Sequence, residues 1–150
     1  MRRSIVFLAL AITLGCSSRS RPGAVVPADP ESAVARFLDA VGANSLGDMA
    51  ELWGTSGGPA ADRMDREELR KRLGIIQVYL VHERYEIVPD TDPLRRGTGN
   101  ERQVQVRIFR QGCTPLVPFT LVRWRDGWLV SNIDLTVMPN PARACSPSEG

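Results

Sequence analysis

Apolar residues near the start of the predicted folded region recur with the spacing of an α-helix. They occupy positions i, i+3, i+4 and i+7, which lie on one stripe of a helix. The residues of this stripe are Val34, Phe37, Leu38 and Val41. Asp29 can cap the helix, Pro30 suits its first turn, and Gly42 can end it. The pattern therefore predicts an amphipathic helix from about residue 30 to residue 42.

Two further helices are predicted before residue 81. The shorter helix covers residues 46–53, with Ser45 as its cap and Trp53 on its inner face. The longer helix runs from residue 66 to about residue 80, with Asp65 as its cap. Its apolar face consists of Leu69, Leu73, Ile76 and Leu80. Residues 54–61 are rich in glycine and predict a loop between the two helices.

The period of the pattern changes from helical to alternating after residue 81. Four strands are predicted, at residues 82–88, 103–109, 116–124 and 128–137, with a polar loop at 90–100. Arg125-Asp126-Gly127 is typical of a tight hairpin turn between the last two strands. Three helices followed by four strands predict an α+β fold, with the helices packed on an antiparallel sheet.

The first fifteen residues have the three zones of a secretory signal. Arg2 and Arg3 give a positive start, residues 5–12 are uninterruptedly apolar, and Gly15 is a small residue before Cys16. The apolar stretch is well short of the roughly 20 residues that span a bilayer. We therefore predict that residues 1–15 are a signal peptide and not a transmembrane helix.

The segment Thr13-Leu14-Gly15-Cys16 resembles the lipobox of bacterial lipoproteins, with Thr13 where leucine is commonest. The resemblance implies cleavage after Gly15 and attachment of a lipid anchor to the sulfur of Cys16. Ser17 lacks the aspartate-type signal for inner-membrane retention, so resemblance to enterobacterial lipoproteins favours the periplasmic side of the outer membrane. The alternative is an ordinary signal peptide in which the cysteine occurs by chance.

The predicted mature chain has three parts and no net charge. Residues 16–29 form a lipidated cysteine and a flexible tether, residues 30–138 a domain, and residues 139–150 an irregular tail. Loss of Arg2 and Arg3 with the signal reduces 19 Lys and Arg to 17, which equals the 17 Asp and Glu. This balance gives no electrostatic case for binding nucleic acid.

Two cysteines remain once Cys16 is assigned to lipid. Cys113 and Cys145 form an even pair in an oxidising compartment, so we predict a disulfide bond between them; two free thiols are the alternative. Such a bond would stabilise the domain by roughly 3–4 kcal/mol in the chain-entropy model. His82 is the only histidine, and the cysteines lack metal-ligand spacing, so we predict no metal site and no cofactor.

The order of elements and a loose C-terminal pattern resemble the nuclear-transport-factor-2-like superfamily, which includes enzymes of the ketosteroid-isomerase and SnoaL type. The resemblance rests on the helix at 31–42, the short helix ending near Trp53, the segment from Trp124 to Trp128, and Ile133-Asp134-Leu135. It covers residues 30–138 and implies a bent sheet that forms a cone with the helices, often around a pocket. A cystatin-like helix-on-sheet arrangement is the nearest competitor.

Enzymes of this superfamily often hold an Asp–His or Asp–Tyr set inside the cone. The candidates here are His82, Tyr85, Asp134 and Arg123. His82 could act as a base because its unperturbed pKa lies near neutral pH. Each candidate also has a structural interpretation: His82 as a cap or hydrogen-bond partner, Tyr85 as a core residue with its hydroxyl at the rim, and Asp134 as a solvated residue. The usual Asp–His pair does not fall on matching positions.

The tryptophans near the C-terminus and a short basic run are most simply structural. Trp124 and Trp128 flank the predicted hairpin and are expected to pack against each other; the alternative is an aromatic wall of a pocket or partner groove. The basic run at residues 70–72 is most simply the solvated face of the third helix.

Two functional hypotheses follow, with one assembly hypothesis. The preferred one is a non-catalytic, membrane-anchored lipoprotein domain that binds a small apolar ligand or another envelope protein. The alternative is a weak isomerase or hydro-lyase that uses His82 with Tyr85 or Asp134. The chain could also form a homodimer through the open sheet face, since related folds often pair that way. That face carries Gln103, Gln105, Arg107 and Phe109.

Overall fold

The computed structural model describes residues 26–89 and 99–143 of the chain. Its helices are α1 (Pro30–Gly42), α2 (Leu46–Leu52) and α3 (Arg66–Leu80). Its strands are β1 (Gly54–Thr55), β2 (Gly58–Pro59), β3 (Arg84–Val88), β4 (Glu101–Phe109), β5 (Leu116–Trp124) and β6 (Gly127–Ile133). Short 3₁₀ turns follow β2, at Ala60–Asp62, and β6, at Leu135–Val137.

The fold is mixed α+β, as the pattern predicts. Strands β3 to β6 form one antiparallel sheet in the order β3-β4-β5-β6, and β1 pairs with β2 in a separate two-stranded ribbon. Because every neighbour in the main sheet is also a neighbour in the chain, the sheet is a simple meander.

Local chemistry explains where the helices begin. The Asp29 side chain accepts a hydrogen bond of 2.8 Å from the backbone N–H of Ser32, and this bond lowers the pKa of the Asp29 carboxyl. Asp65 accepts from the backbone N–H groups of Glu67 and Glu68 at the start of α3. Each cap satisfies donors that have no partner inside the helix, and both caps were predicted from the sequence.

The segment after α2 differs from the prediction. Trp53 is extended and forms a parallel bridge to Val130 of β6, so α2 ends at Leu52. The predicted loop at 54–61 contains β1, β2 and a 3₁₀ turn. The partner of Trp53 is distant in the chain, which is why a helical stripe ending at Trp53 was predicted wrongly.

Three predicted strand boundaries are also wrong. His82 lies before β3, which begins at Arg84, and β4 begins at Glu101, two residues earlier than predicted. The last strand ends at Ile133 because Asp134 accepts hydrogen bonds from the N–H and hydroxyl of Thr136, at 3.0 and 2.5 Å. A side chain that binds local backbone groups in this way competes with the strand ladder.

Pro118 lies in β5, an inner strand, although proline is usually confined to edges or bulges. Its carbonyl accepts a 3.0 Å hydrogen bond from the N–H of Asp134, just past the end of β6. In an antiparallel strand the nitrogen of a residue points to the same side as its carbonyl, so the nitrogen of Pro118 points toward Asp134. The pairing of β5 with β6 has already ended there, and proline therefore costs no ladder hydrogen bond. The bulge in β5 lies further on, between Thr120 and Leu121.

The core lies between the helices and one face of the sheet. Phe37 of α1 is fully buried and contacts the rings of Trp53 and Phe119, with centroid distances of 6.1 and 6.5 Å. Ile108 of β4 is also fully buried. Within the described part of the chain, no polar or charged residue is buried. The space between α1 and the sheet is therefore filled by apolar side chains.

Arg110 holds three segments together at one end of the sheet. Its guanidinium donates to the carbonyls of Val78 and Tyr79 in the last turn of α3, at 2.8 and 3.1 Å, and to that of Pro141, at 3.3 Å. Carbonyls at the end of a helix lack partners within the helix, and a cation there also interacts favourably with the helix dipole.

Several sequence predictions concern residues outside the described ranges. These are the signal peptide and tether up to residue 25, with Cys16, part of the polar loop at 90–98, and the end of the tail, with Cys145. The disulfide between Cys113 and Cys145 therefore stays a prediction.

We expect Arg110→Met to lower the free energy of unfolding by about 1–3 kcal/mol, because methionine keeps an apolar stem but leaves the three carbonyls without their donor. Urea denaturation of the purified chain measures this change. Arg107→Met is the matched control, since Arg107 is exposed on β4, three residues before Arg110, and should change stability by at most about 1 kcal/mol. Equal losses in the two variants would contradict the role assigned to Arg110.

Candidate functional site

Tyr85 lies where β3 faces α1. It pairs with Ile108 across the sheet and therefore projects from the core face. Its hydroxyl is 3.0 Å from Oδ1 of Asp39, to which it donates, and 3.4 Å from the carbonyl of Ala35. Partial burial, followed by the hydrogen bond to Asp39 and its charge, raises the pKa of Tyr85 to about 12. Tyr85 is consequently a neutral donor at physiological pH.

His82 lies beside Tyr85 at the junction of α3 and β3. The two rings meet edge to face, with centroids 5.4 Å apart. Nδ1 of His82 lies 2.8 Å from the carbonyl of Leu80, so in this contact Nδ1 carries the proton and donates. A cap or hydrogen-bond partner is the structural role expected for His82 from the sequence, and this contact has that form. In this tautomer Nε2 is the acceptor nitrogen.

Asp39 completes the cluster, and sequence reasoning missed it. The residue is next to Leu38 of the apolar stripe, at the edge of the buried face of α1. Its contact with Tyr85 joins positions 46 residues apart, so no local pattern indicates the pairing. The only available signal was a carboxylate beside a helical apolar stripe, which is a common arrangement for a solvated residue.

Asp134 is not brought to His82 and Tyr85. It follows β6, whereas Tyr85 lies on β3 at the opposite edge of the sheet. Three strand spacings separate these edges, which amounts to about 14 Å at roughly 4.8 Å per spacing. Asp134 instead begins the 3₁₀ turn at Leu135–Val137. The geometry therefore joins His82 and Tyr85 with Asp39 and leaves Asp134 elsewhere.

A cleft between α1 and α2 adjoins this cluster. It has a volume of about 440 Å³, and Asp39 is the one member of the cluster that lines it. Its other lining residues are Arg36, Ala40, Ala43, Asp48, Glu51 and Leu52. His82 and Tyr85 do not face this space, so the three groups do not converge on one point where a substrate atom could lie.

The outer face of the sheet carries the surface predicted for self-association. Arg107 faces Glu86 across the strands, at 4.0 Å, and the guanidinium of Arg84 lies 3.3 Å from the ring centre of Phe109. Arg84 also pairs with Glu86. Ion pairs that are about half exposed contribute little to stability, so these contacts describe a solvated face.

A groove crosses the same face beside the 3₁₀ turn that follows β6. Its volume is about 490 Å³. It is lined by Gln103, Pro118, Thr120, Asn132, Ile133, Asp134, Leu135 and Thr136. The amide, hydroxyl and carboxylate groups in this set make it an open polar groove and not an apolar pocket.

The tryptophans at the β5–β6 hairpin do not pack against each other as expected. Trp128 pairs with Arg123, so Trp124 projects from the opposite face of the sheet. The guanidinium groups of Arg102 and Arg123 each lie 5.7 Å from the ring centre of Trp128, and that of Arg125 lies 4.4 Å from the ring centre of Trp124. Arg123, which was a candidate site residue in the sequence, lies near the end of β5, next to the hairpin turn.

Large apolar side chains are exposed at the other end of the molecule. Ile75 and Val78 of α3 are 60% and 52% exposed, although the opposite side of the same helix is buried. The remaining members of this group are Val81, Leu116 and Val137. Isolated exposed apolar residues are common, but neighbours at i and i+3 on one helix form a continuous surface.

No helix in residues 26–89 or 99–143 is long and apolar enough to cross a membrane. In the same residues, no group of three or more His, Cys, Asp or Glu is arranged to hold a metal ion.

Comparison with known proteins identifies no relative. No protein-family model, curated protein or solved structure matches this chain.

We expect the difference between the tyrosinate titrations of the native chain and the Tyr85→Phe variant to have its midpoint near pH 12. The folded-state pKa of Tyr85 lies above the ordinary tyrosine value of about 10, so neutral Tyr85 stabilises the folded chain. This stabilisation is complete below pH 10 and is lost as the pH rises toward 12.

Asp39→Asn should lower the midpoint while leaving it above 10, because burial is the largest cause of the shift and remains in this variant. A midpoint near 10 in the native chain would show that the Tyr85 hydroxyl is solvated and free of Asp39.

Proposed function

We propose that the chain is a membrane-anchored envelope lipoprotein whose domain binds a protein partner and catalyses no reaction. The observation that carries this proposal is the exposed apolar surface formed by Ile75, Val78 and Val81, which we call the aliphatic strip. A filled interior supports the protein partner over a small apolar ligand, because Phe37 and Phe119 occupy the space that a ligand inside the cone would need.

The surface of α3 changes character along its length. Its first half carries ion pairs between Lys71 and Glu67, at 2.8 Å, and between Arg72 and Glu68, at 3.8 Å. Exposed i,i+4 pairs of this kind are typical of a solvated helix face. Beyond Gly74 the exposed positions are apolar, although that part of the helix has no covering element in the described chain. Contiguous apolar surface surrounded by charge is a common mark of a protein-binding site.

The aliphatic strip lies far from the point where the described chain begins. Arg110 attaches the last turn of α3 to the C-terminal end of β4. The carbonyl of Pro27 accepts a 2.9 Å hydrogen bond from Trp128, near the other end of the sheet. These ends are separated by the length of β4, about 26 Å at roughly 3.3 Å per residue. An anchor at Cys16 would therefore leave the strip accessible from the aqueous side.

The finer fold assignment is part of the same proposal. We infer that the sheet and helices form the cone of the nuclear-transport-factor-2-like superfamily. The bulge between Thr120 and Leu121 supports a bent sheet, because bulges increase the local bend and twist of a strand. The packing of α1 against the inner face agrees with a cone that is closed by its own side chains.

To test the binding function, a photo-cross-linking residue is placed at position 75 in cells that make the full chain, with position 70 of the same helix as the control. We expect one discrete adduct with an envelope protein from position 75 and none from position 70.

The double variant Ile75→Gln/Val78→Gln should reduce co-purification of that protein by about tenfold or more, because central apolar anchors dominate binding. Its free energy of unfolding should change by no more than about 0.5 kcal/mol, since both side chains are exposed. Unchanged co-purification would contradict the proposal, and a dimeric adduct from position 107 would instead indicate self-association.

The catalytic alternative draws support from one contact, the edge-to-face meeting of His82 and Tyr85 beside Asp39. A base in this cluster would use Nε2 of His82, because Nδ1 donates to the carbonyl of Leu80. For the non-catalytic function we expect His82→Ala to leave partner binding within about twofold of the native chain, while stability falls by the worth of one hydrogen bond, about 1 kcal/mol. Loss of a cellular function in a variant that stays folded would favour the enzyme.

A further inference from the structure

The incoming chain is fixed tightly to the end of the sheet at the β5–β6 hairpin. Trp128 donates its backbone N–H to the carbonyl of Pro27. At Gly127, a side-chain Cβ would lie 2.8 Å from that carbonyl oxygen and 2.9 Å from side-chain atoms of Val26, so only glycine fits under this segment. The described chain therefore begins at this end of the sheet.

This end carries arginines laid over tryptophans. Arg102 and Arg123 flank the ring of Trp128, and Arg125 lies over that of Trp124. Together these five residues are the arginine–tryptophan rim. Arg123 and Arg125 are exposed, and Trp124 is half-buried.

Two carboxylates share this end of the sheet with the rim. Glu101 begins β4 and Asp126 lies in the hairpin turn, and both side chains are exposed. Three arginines, Arg102, Arg123 and Arg125, share this end with these two carboxylates among the described residues. The hairpin turn itself is tight, with Arg125 at a φ of 53°.

The rim also lies close to the proposed lipid anchor. Cys16 precedes Val26 by ten residues, which span at most about 36 Å when fully extended. The residues between them include Arg19 and Arg21 and no acidic residue. A domain anchored through this segment would keep the start of the described chain, and the rim beside it, within about 36 Å of the anchored cysteine.

We propose that the arginine–tryptophan rim docks the domain on the anionic phospholipid headgroups of the membrane in which Cys16 is anchored. This inference rests on the proposed lipid anchoring. Guanidinium groups bind phosphate oxygens in a bidentate manner and are weakly hydrated. Tryptophan favours the membrane interface because its ring is apolar and its N–H is polar. Docking would hold the aliphatic strip at a fixed height, facing away from the lipid.

The experiment uses the full lipid-anchored chain reconstituted in vesicles of phosphatidylcholine alone, or with about 30% phosphatidylglycerol, which supplies the negative surface potential. Each vesicle also contains a brominated lipid that quenches tryptophan at the bilayer surface. Comparison with Trp124→Phe isolates the emission of Trp124, the most accessible of the three tryptophans. We expect stronger quenching of Trp124 on the anionic vesicles.

The double variant Arg123→Gln/Arg125→Gln should lose this quenching, because the docking equilibrium constant should fall about fivefold for each arginine removed. The control Arg70→Gln/Lys71→Gln removes the same charge from exposed positions of α3 and should behave as the native chain. About 0.5 M salt should abolish the effect in the native chain without any substitution, because it screens exposed charges.

Three outcomes would overturn the proposal. Equal quenching of Trp124 on neutral and anionic vesicles would exclude headgroup recognition. Equal losses in the two double variants would show that overall charge, and not the rim, is responsible. Mass spectrometry of the N-terminal peptide separates these failures from that of the anchor: an unmodified Cys16 overturns both the anchoring and the docking, whereas an acylated Cys16 with no anionic preference overturns the docking alone.

Discussion

The packing of Phe37 against Trp53 and Phe119 is the contact on which the rest of the structure depends. It joins the first helix, the segment after the second and a central strand of the sheet, so it determines how the helical layer sits on the strands. The same contact fills the interior with rings. Aromatic side chains bury large areas and pack at near-crystalline density, so these three rings occupy the space between α1 and β5. The clefts and the exposed apolar residues described above lie at the surface of the domain.

The sequence predicted most accurately those features whose causes are local. The starts of α1 and α3 depend on Asp29 and Asp65, each of which accepts from backbone groups within three residues. The alternation along β3 to β6 likewise reports which face is buried. Trp53 was assigned to the helix because it continues the apolar stripe of α2. Its extended conformation depends on the bridge to Val130, a residue far away in the sequence. The end of β6 was missed because a short-range contact of Asp134 overrides a favourable strand pattern.

The candidate site shows the same division between local and non-local causes. His82 and Tyr85 were recognised by residue type and are in contact, because two residues separate them along one edge of the sheet. Asp39 was missed because its partnership with Tyr85 depends on how α1 crosses β3. Asp134 was included because of a family pattern, which carries no information on the distance between the two edges. The aliphatic strip was not predicted from the sequence, because the exposure of Ile75 and Val78 depends on the rest of the fold.

The contacts of Arg110 have a consequence for how the domain opens locally. One guanidinium holds the last turn of α3 and the segment around Pro141, neither of which is hydrogen-bonded to the other. Proteins open locally in cooperative units, and loss of this one guanidinium's contacts would release both segments together. Amide hydrogens near Tyr79 and those after Met138 should therefore exchange with solvent as one unit. Opening of the segment around Pro141 would then loosen the helix turn that carries Val78, and with it the surface offered to a partner.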